Sequence, residues 1–254
     1  MIDTHTHLYF PEFNDDIGAI MQNCRQKGVS HFILPNVDKE SIGLMKCLHD
    51  AYPETTSMAM GLHPTEVNDD WETVMETIKS EIHSGDFVAV GEVGMDLYWD
   101  KSYEKQQKQA FYQQLKLADQ YNLPVIIHSR SAFPETIEII RQAQPSVPLI
   151  FHSFTGDKKI VNNIREVCDP YFGINGVVTF KNAADLRESL HEIGIDKILL
   201  ETDSPYLTPA PHRGKRNDSS FLEYIRDVIG QTLGLPSEDV EKITDNNAKS
   251  VFRL

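Results

Sequence analysis

The sequence predicts an α/β fold, a (β/α)8 TIM barrel, and three observations carry that prediction. Apolar, β-rich runs alternate with helical patterns along the whole chain, the signature of βα units around a parallel sheet. Eight such runs occur, each short and almost continuously apolar, as strands covered on both faces are. The 254 residues also match the roughly 250 that one such barrel takes, and no composition break marks a linker, so residues 1–254 read as a single domain. An open doubly wound sheet is the competing architecture. It has fewer strands and a Gly-rich nucleotide loop, and Gly91-x-x-Gly94 is too short and wrongly placed to be one.

The elements follow in order. Met1 to His5 reads as the first strand, and Asn14 to Lys27 as a helix stopped by Gly28. His31 to Asn36 is the second strand, and Lys39 to Ala51 a helix ended by Pro53. Ser57 to Leu62 is the third strand, leading into His63-Pro64, and Asp70 to Ser84 a helix with an acidic start. Phe87 to Glu92 is the fourth strand, followed by a turn carrying Tyr98 and Trp99 and a long helix from Ser102 to Tyr121. The remaining strands are Pro124 to His128, Pro148 to His152, Tyr171 to Val178 and Lys197 to Glu201. Between them lie helices at Phe133 to Ala143, Asp157 to Val167 and Ala183 to Ile193. From Ser219 the tail carries two helical segments split by Gly234-Leu235-Pro236.

Composition narrows the function. A net charge of −14 argues against a broad basic face for sequence-independent nucleic-acid binding, though not against a phosphate held locally by divalent cations. No basic region precedes an apolar stretch at the start, and no window approaches the ~18 apolar residues of a membrane span. Cys24, Cys47 and Cys168 are widely spaced, with Cys24 and Cys47 in helical patterns, and read as buried, reduced thiols. The expectation is a cytoplasmic monomer with no membrane and no stable protein partner.

In such barrels the site is built where the strands end. Those ends carry His5 and His7, His63, Glu92, His128, His152, then Glu201 and Asp203. Five of the ten histidines therefore sit behind apolar runs on one face, while His31, His49, His83, His191 and His212 do not. Packing gives no reason for this convergence, since each polar group costs desolvation unless it is paired or metal-bound. His5 and His7 share a spacing that aims two imidazoles at one point on an extended strand. His5, His7, His128, His152, Glu92 and Asp203 are too many for one tetrahedral ion. They suit two divalent ions about 3.5–4 Å apart, bridged by a carboxylate and a water. Glu92 is the natural bridge, with His5, His7 and Asp203 on one ion and His128 and His152 on the other. Nitrogen with oxygen fits Zn, Mn, Ni or Fe; Mg wants more oxygen.

These residues lie in stretches that resemble the TatD family of metal-dependent deoxyribonucleases, within the amidohydrolase-like barrels. The stretches are Ile2-Asp3-Thr4-His5-Thr6-His7, Gly61-Leu62-His63-Pro64, Gly91-Glu92-Val93-Gly94-Met95-Asp96, Ile127-His128-Ser129-Arg130, His152-Ser153-Phe154-Thr155-Gly156, Leu200 to Leu207, and Arg213-Gly214-Lys215. They run in order over nearly the full chain. The resemblance implies a two-metal hydrolase releasing nucleotides from a 3′ end of DNA, with RNA a second candidate substrate. Its metal ligands fall on the six residues above, and His63 and Glu201 become close supporting or substrate-contacting groups. One departure stands out: Asn217-Asp218-Ser219 replaces the family's usual Asn-Glu-Pro, in a stretch expected to shape the mouth of the site.

The expected mechanism is metal-assisted hydrolysis. Asp203 takes or orients the proton of the attacking water, and His63 donates to the phosphate oxygens. Tyr98 and Trp99 stack a terminal base. Arg130, Lys158, Lys159, Lys181, Arg213, Lys215 and Arg216 form a local funnel for phosphate. The competing readings are an amidase, ester hydrolase or phosphatase for small substrates on the same barrel, and a metal-loaded binding protein. Many amidohydrolases are similar to one another in placing a bridging lysine where this chain has Glu92, and the intact set with Asp203 counts against a dead site.

Overall fold

In the computed structural model, which describes residues 1–254, eight parallel strands follow one another around a single sheet in the order β1 to β8. They are β1 (Ile2–Asp3), β2 (His31–Pro35), β3 (Thr56–Met60), β4 (Phe87–Asp96), β5 (Val125–Arg130), β6 (Leu149–Phe151), β7 (Tyr171–Ile174) and β8 (Ile198–Leu200). The sheet closes on itself where the Thr4 N–H donates to the Leu200 carbonyl (3.0 Å) and the Asp203 N–H to the His5 carbonyl (2.9 Å). The expected TIM barrel is the fold. No helix is long and apolar enough to cross a membrane.

Seven helices alternate with the strands: α1 (Ile17–Gln26), α2 (Ser41–Ala51), α3 (Trp71–Ser84), α4 (Glu104–Tyr121), α5 (Phe133–Ala143), α6 (Lys158–Arg165) and α7 (Ala184–Ile193). After β8 come α8 (Leu222–Leu233) and α9 (Ser237–Phe252). Local chemistry sets their ends. Asp157 accepts from the Ile160 N–H (2.9 Å) at the start of α6, Pro134 lies in the first turn of α5, and Gly234 ends α8 in the left-handed region (φ 68°). Cys24 is buried as expected, but Cys47 faces solvent on the outer side of α2 and Cys168 is partly buried.

Most strand limits differ from the expectation by a residue or two, and three of the differences bear on the site. β1 ends at Asp3, so His5 and His7 stand beyond its last ladder pair. β4 continues four residues past Glu92, to Asp96. β7 stops at Ile174, because the Asn175 side chain accepts from the Val177 N–H (3.1 Å) and turns Gly176–Thr179 into a 3-10 helix.

The core has two parts. The larger lies between the strands and the surrounding helices and includes Phe32, Met60, Phe111, Phe151 and Phe172. The smaller gathers Ile2, Ile33, Ala59, Ala89, Ile126, Ile150 and Leu199 from seven strands against Ala248, Val251 and Phe252 of α9. That apolar layer seals the end of the barrel where the strands begin, leaving the polar groups at the opposite end, where the strands finish.

Candidate metal centre

Glu92 is the hub. Its Oε2 lies 3.0 Å from His5 Nε2 and 3.8 Å from His7 Nε2. Its Oε1 lies 2.9 Å from His128 Nδ1, 3.3 Å from His63 Nε2 and 3.6 Å from His152 Nε2. Asp203 faces the same point from β8, with Oδ1 3.6 Å from His7 Nε2 and 3.9 Å from both His5 Nε2 and His152 Nε2. All six expected ligands therefore converge. Three sets of donor atoms are close enough to hold an ion: His5, His7 and Glu92; His63, Glu92 and His128; and His5, His152 and Glu201. His63 thus stands beside His128 and Glu92, where the sequence grouping had put His152.

The local backbone brings these side chains in. Asp203 (φ 56°) and Ser153 (φ 48°) occupy the left-handed region, which non-glycine residues hold only when their surroundings fix them. Gly94 has φ 138°, and a Cβ there would lie 2.0 Å from the His128 carbonyl oxygen, so only glycine lets β4 run this close to β5.

Behind the centre lies a second layer, of which the sequence points to Glu201 but not to Tyr9, Asp96 or Asp3. His7 Nδ1 meets the Tyr9 hydroxyl at 3.0 Å, and that hydroxyl donates to the Pro35 carbonyl at 2.5 Å. His128 Nε2 meets Asp96 Oδ2 at 2.9 Å. His152 Nδ1 lies 3.1 Å from Glu201 Oε1. In each case the other ring nitrogen points inward, the arrangement by which outer partners fix the tautomer of a metal-binding imidazole. Asp3 is buried across the β1–β8 seam, accepting from the Thr202 N–H (3.0 Å) and hydroxyl (2.6 Å), next to Asp203. A signal for Asp96 existed: four residues after Glu92 on one strand, it shares that residue's face.

The electrostatics of the cluster are polarised. Burial works to raise the Glu92 carboxyl, but His63, His152 and His5 hold it well below its usual range. Burial likewise opposes ionisation of Asp203, and His152, His7 and His5 keep it low. Burial and the neighbouring His152 lower His5 to about 4. His152 resists its own burial because Glu201, Glu92 and Asp203 surround it, and it rises to about 10. His63 is lowered, chiefly by burial, and its Nδ1 accepts from the Thr65 N–H (3.2 Å), which assigns its proton to Nε2, the nitrogen facing Glu92.

The donor chemistry fits divalent cations. Every ion-pair partner of Glu92 and Asp203 is a histidine, with no lysine or arginine to neutralise the two carboxylates. His5 Nδ1 is buried without a hydrogen-bond partner.

Apart from His5, which is fully buried, the cluster lines a cavity of about 790 Å³ together with Phe10, Glu66, Asp96, Trp99, Arg130 and Tyr206. Of the expected substrate contacts, His63 and Arg130 line it. The Arg130 guanidinium sits 3.9 Å from the Tyr98 ring and 5.2 Å from that of Trp99, which is 72% exposed. Glu201 does not reach the cavity, being 1% exposed behind His152. Arg213 packs on Phe180 (3.9 Å) and, like Lys215, lies away from the cavity wall. The wider funnel is also reduced: Lys158 pairs with Glu188 (3.6 Å) and Arg216 with Asp16 (2.5 Å), and of the seven expected cations only Arg130 lines the cavity. Nor does the Asn217-Asp218-Ser219 departure shape the mouth. The Asn217 amide donates to the Thr202 (2.9 Å) and Tyr206 (2.6 Å) carbonyls, and Ser219 is fully buried.

The family model described as TatD related DNase matches residues 2–253. The chain is 34% identical to the uncharacterized metal-dependent hydrolase YabD of Bacillus subtilis, over 100% of this chain and 99% of that one. It is 30% identical to the uncharacterized metal-dependent hydrolase YcfH of Escherichia coli K12, over 100% of this chain and 96% of the relative. Among solved structures, the TatD homolog YjjV of Escherichia coli K12 superposes with a TM-score of 0.93 at 27% identity, covering 100% of this chain and 98% of the other. With its eight strands closed around convergent histidines and carboxylates and its sequence matched from end to end, the chain belongs to the TatD-related family.

Proposed function

We propose that the chain is a divalent-metal-dependent hydrolase that cleaves DNA phosphodiester bonds, working from the 3′ end of a single strand. One observation carries the proposal: five imidazoles, Glu92 and Asp203 converge, without a balancing lysine or arginine, at the floor of a cavity with Arg130 in its wall. Such a floor repels a phosphodiester until cations neutralise it. His5, His7 and Asp203 would hold one cation and His128 and His152 a second, with Glu92 between them. When bound, the cations supply Lewis acidity toward the phosphate and activation of the attacking water. Zn, Mn, Ni or Fe suits this mixed donor set better than Mg.

The side chains divide the remaining work. Asp203, ionised and open to the cavity, takes the proton of the water. His63 is neutral and carries its proton on the nitrogen facing the centre, so it donates a hydrogen bond to a phosphate oxygen. Arg130, held over Tyr98 and Trp99, adds positive charge at the wall, and the exposed Trp99 offers a face for a terminal base. The 3′ direction rests on the family resemblance.

The test uses metal-stripped protein and single-stranded DNA labelled at its 3′ or 5′ end, with Mn, Zn or Mg added singly. Stepwise shortening from the 3′ end that requires metal supports the proposal. Intact DNA under every metal, with hydrolysis of an amide, ester or small phosphate substrate instead, overturns the DNase reading.

A further inference from the structure

Glu201, just past the end of β8, is a buried carboxylate that the cavity does not reach. Its Oε1 lies 3.1 Å from His152 Nδ1 and accepts the Ser153 N–H at 2.6 Å. Ser153, left-handed at φ 48°, is also held through its hydroxyl by the Asn175 amide (2.7 Å). The rings of His5 and His152 stack at 3.4 Å with 19° between their planes, and donor atoms of both lie within 4.8 Å of a Glu201 oxygen. The Nδ1 atoms of His5 and His152 are both buried, and neither has a well-directed hydrogen-bond partner. The carboxylate occupies a cradle in β7: a Cβ on Gly173 would lie 2.0 Å from Oε2 and 2.5 Å from Cδ of Glu201.

We infer that Glu201 is a positioning residue, a single buried carboxylate that fixes the stacked imidazoles of both His5 and His152 from beneath, and that Gly173 is kept free of a side chain to admit it. The inference rests on the metal-centre reading and decides, for Glu201, between the supporting and the substrate-contacting roles that the resemblance leaves open. The chemistry is direct. Nε2 of each ring faces Glu92, so the ring proton belongs on Nδ1, and a buried N–H needs an acceptor. Glu201 offers an oxygen 3.1 Å from His152 Nδ1 and lies within 4.8 Å of a His5 ring nitrogen, so one carboxylate stands beside both rings. One carboxylate thereby ties a ligand from β1 to a ligand from β6, which belong to the two separate cation positions.

The experiment titrates metal-stripped protein with Mn²⁺ and with Zn²⁺ by calorimetry and counts bound metal by elemental analysis, with thermal melts to check folding. The variants are Glu201→Gln, which keeps the shape, Gly173→Ala, and the double variant, with Gly18→Ala, which has open space around it, as a fold control. Glu201→Gln and Gly173→Ala are each expected to weaken metal binding about 10- to 100-fold, the usual effect of losing an outer partner. Because both act through one carboxylate, the double variant should be no weaker than the worse single one. Unchanged affinity in a folded Glu201→Gln protein, or losses that multiply in the double variant, would overturn the inference. Wild-type protein that binds no metal would overturn the metal-centre reading itself. The readout involves no DNA, so a failure of the nuclease reading leaves it intact.

Discussion

At the scale of single residues, the centre is a balance between carboxylates held ionised and imidazoles pulled in opposite directions. Asp203 is placed to accept a proton, so Asp203→Asn should lower turnover by about 10²- to 10⁴-fold, measured as single-turnover DNA cleavage at saturating metal. His152 gives a pH signature. Its raised value of about 10 in the metal-free protein means that cation binding near neutrality must expel a proton. Apparent affinity should therefore rise with pH, by about tenfold per unit for this group, and level off near its own value. Calorimetric titrations in two buffers of different ionisation enthalpy would reveal the released proton; identical heats would contradict it. The sign for folding is the reverse. Because the folded value is raised above the ordinary 6.5, the stability that protonated His152 contributes without metal is present below pH 6.5 and is lost as the pH climbs toward about 10.

At the scale of elements, the molecule separates a floor that stabilises from a face that binds. Phe252 of α9 lies in the apolar layer with Ile2 and Leu199. Phe252→Ala should cost about 3–5 kcal/mol in denaturant unfolding and leave metal affinity unchanged; a parallel loss of metal would show that floor and face are coupled. The order and kind of nearly every element can be read from the chain, because buried strands and amphipathic helices have different periods. The ends are harder to read where glycine serves a long-range purpose. Gly94 resembles turn punctuation, yet it sits inside β4 because β5 passes too close for a Cβ, and reading it as a turn hides Asp96. The convergence of His5, His7, Glu92, His128, His152 and Asp203 is legible because each follows an apolar run. Tyr9, Asp3 and the buried position of Glu201 were not, since their roles depend on partners that only closure of the barrel brings near. The same holds for Arg216, which looks like part of a phosphate funnel but is tied to Asp16, 200 residues away in sequence.

For the whole molecule, a barrel with its own complete core should not need metal to fold, although metal should strengthen it. Removing metal with a chelator is expected to abolish hydrolysis and lower the melting temperature, because an ion bound only by the folded state stabilises it in proportion to RT ln(1 + [L]/Kd). Far-ultraviolet circular dichroism should stay unchanged; loss of helical signal on chelation would mean that the centre is part of the folding core. The acidic chain, at −14 overall, has only a small cationic wall at its cavity, so binding of single-stranded DNA should depend far more on divalent metal than on low salt. The central claim is that the strand ends form one centre for two cations with Glu92 between them. The most direct test is anomalous diffraction from crystals soaked in Mn²⁺ or Zn²⁺, with elemental analysis of the same protein. The account predicts two peaks flanking Glu92, one beside His5, His7 and Asp203 and the other beside His128 and His152, falling to one or none in Glu92→Gln. A single peak in the wild-type protein, or two that persist in that variant, would contradict it.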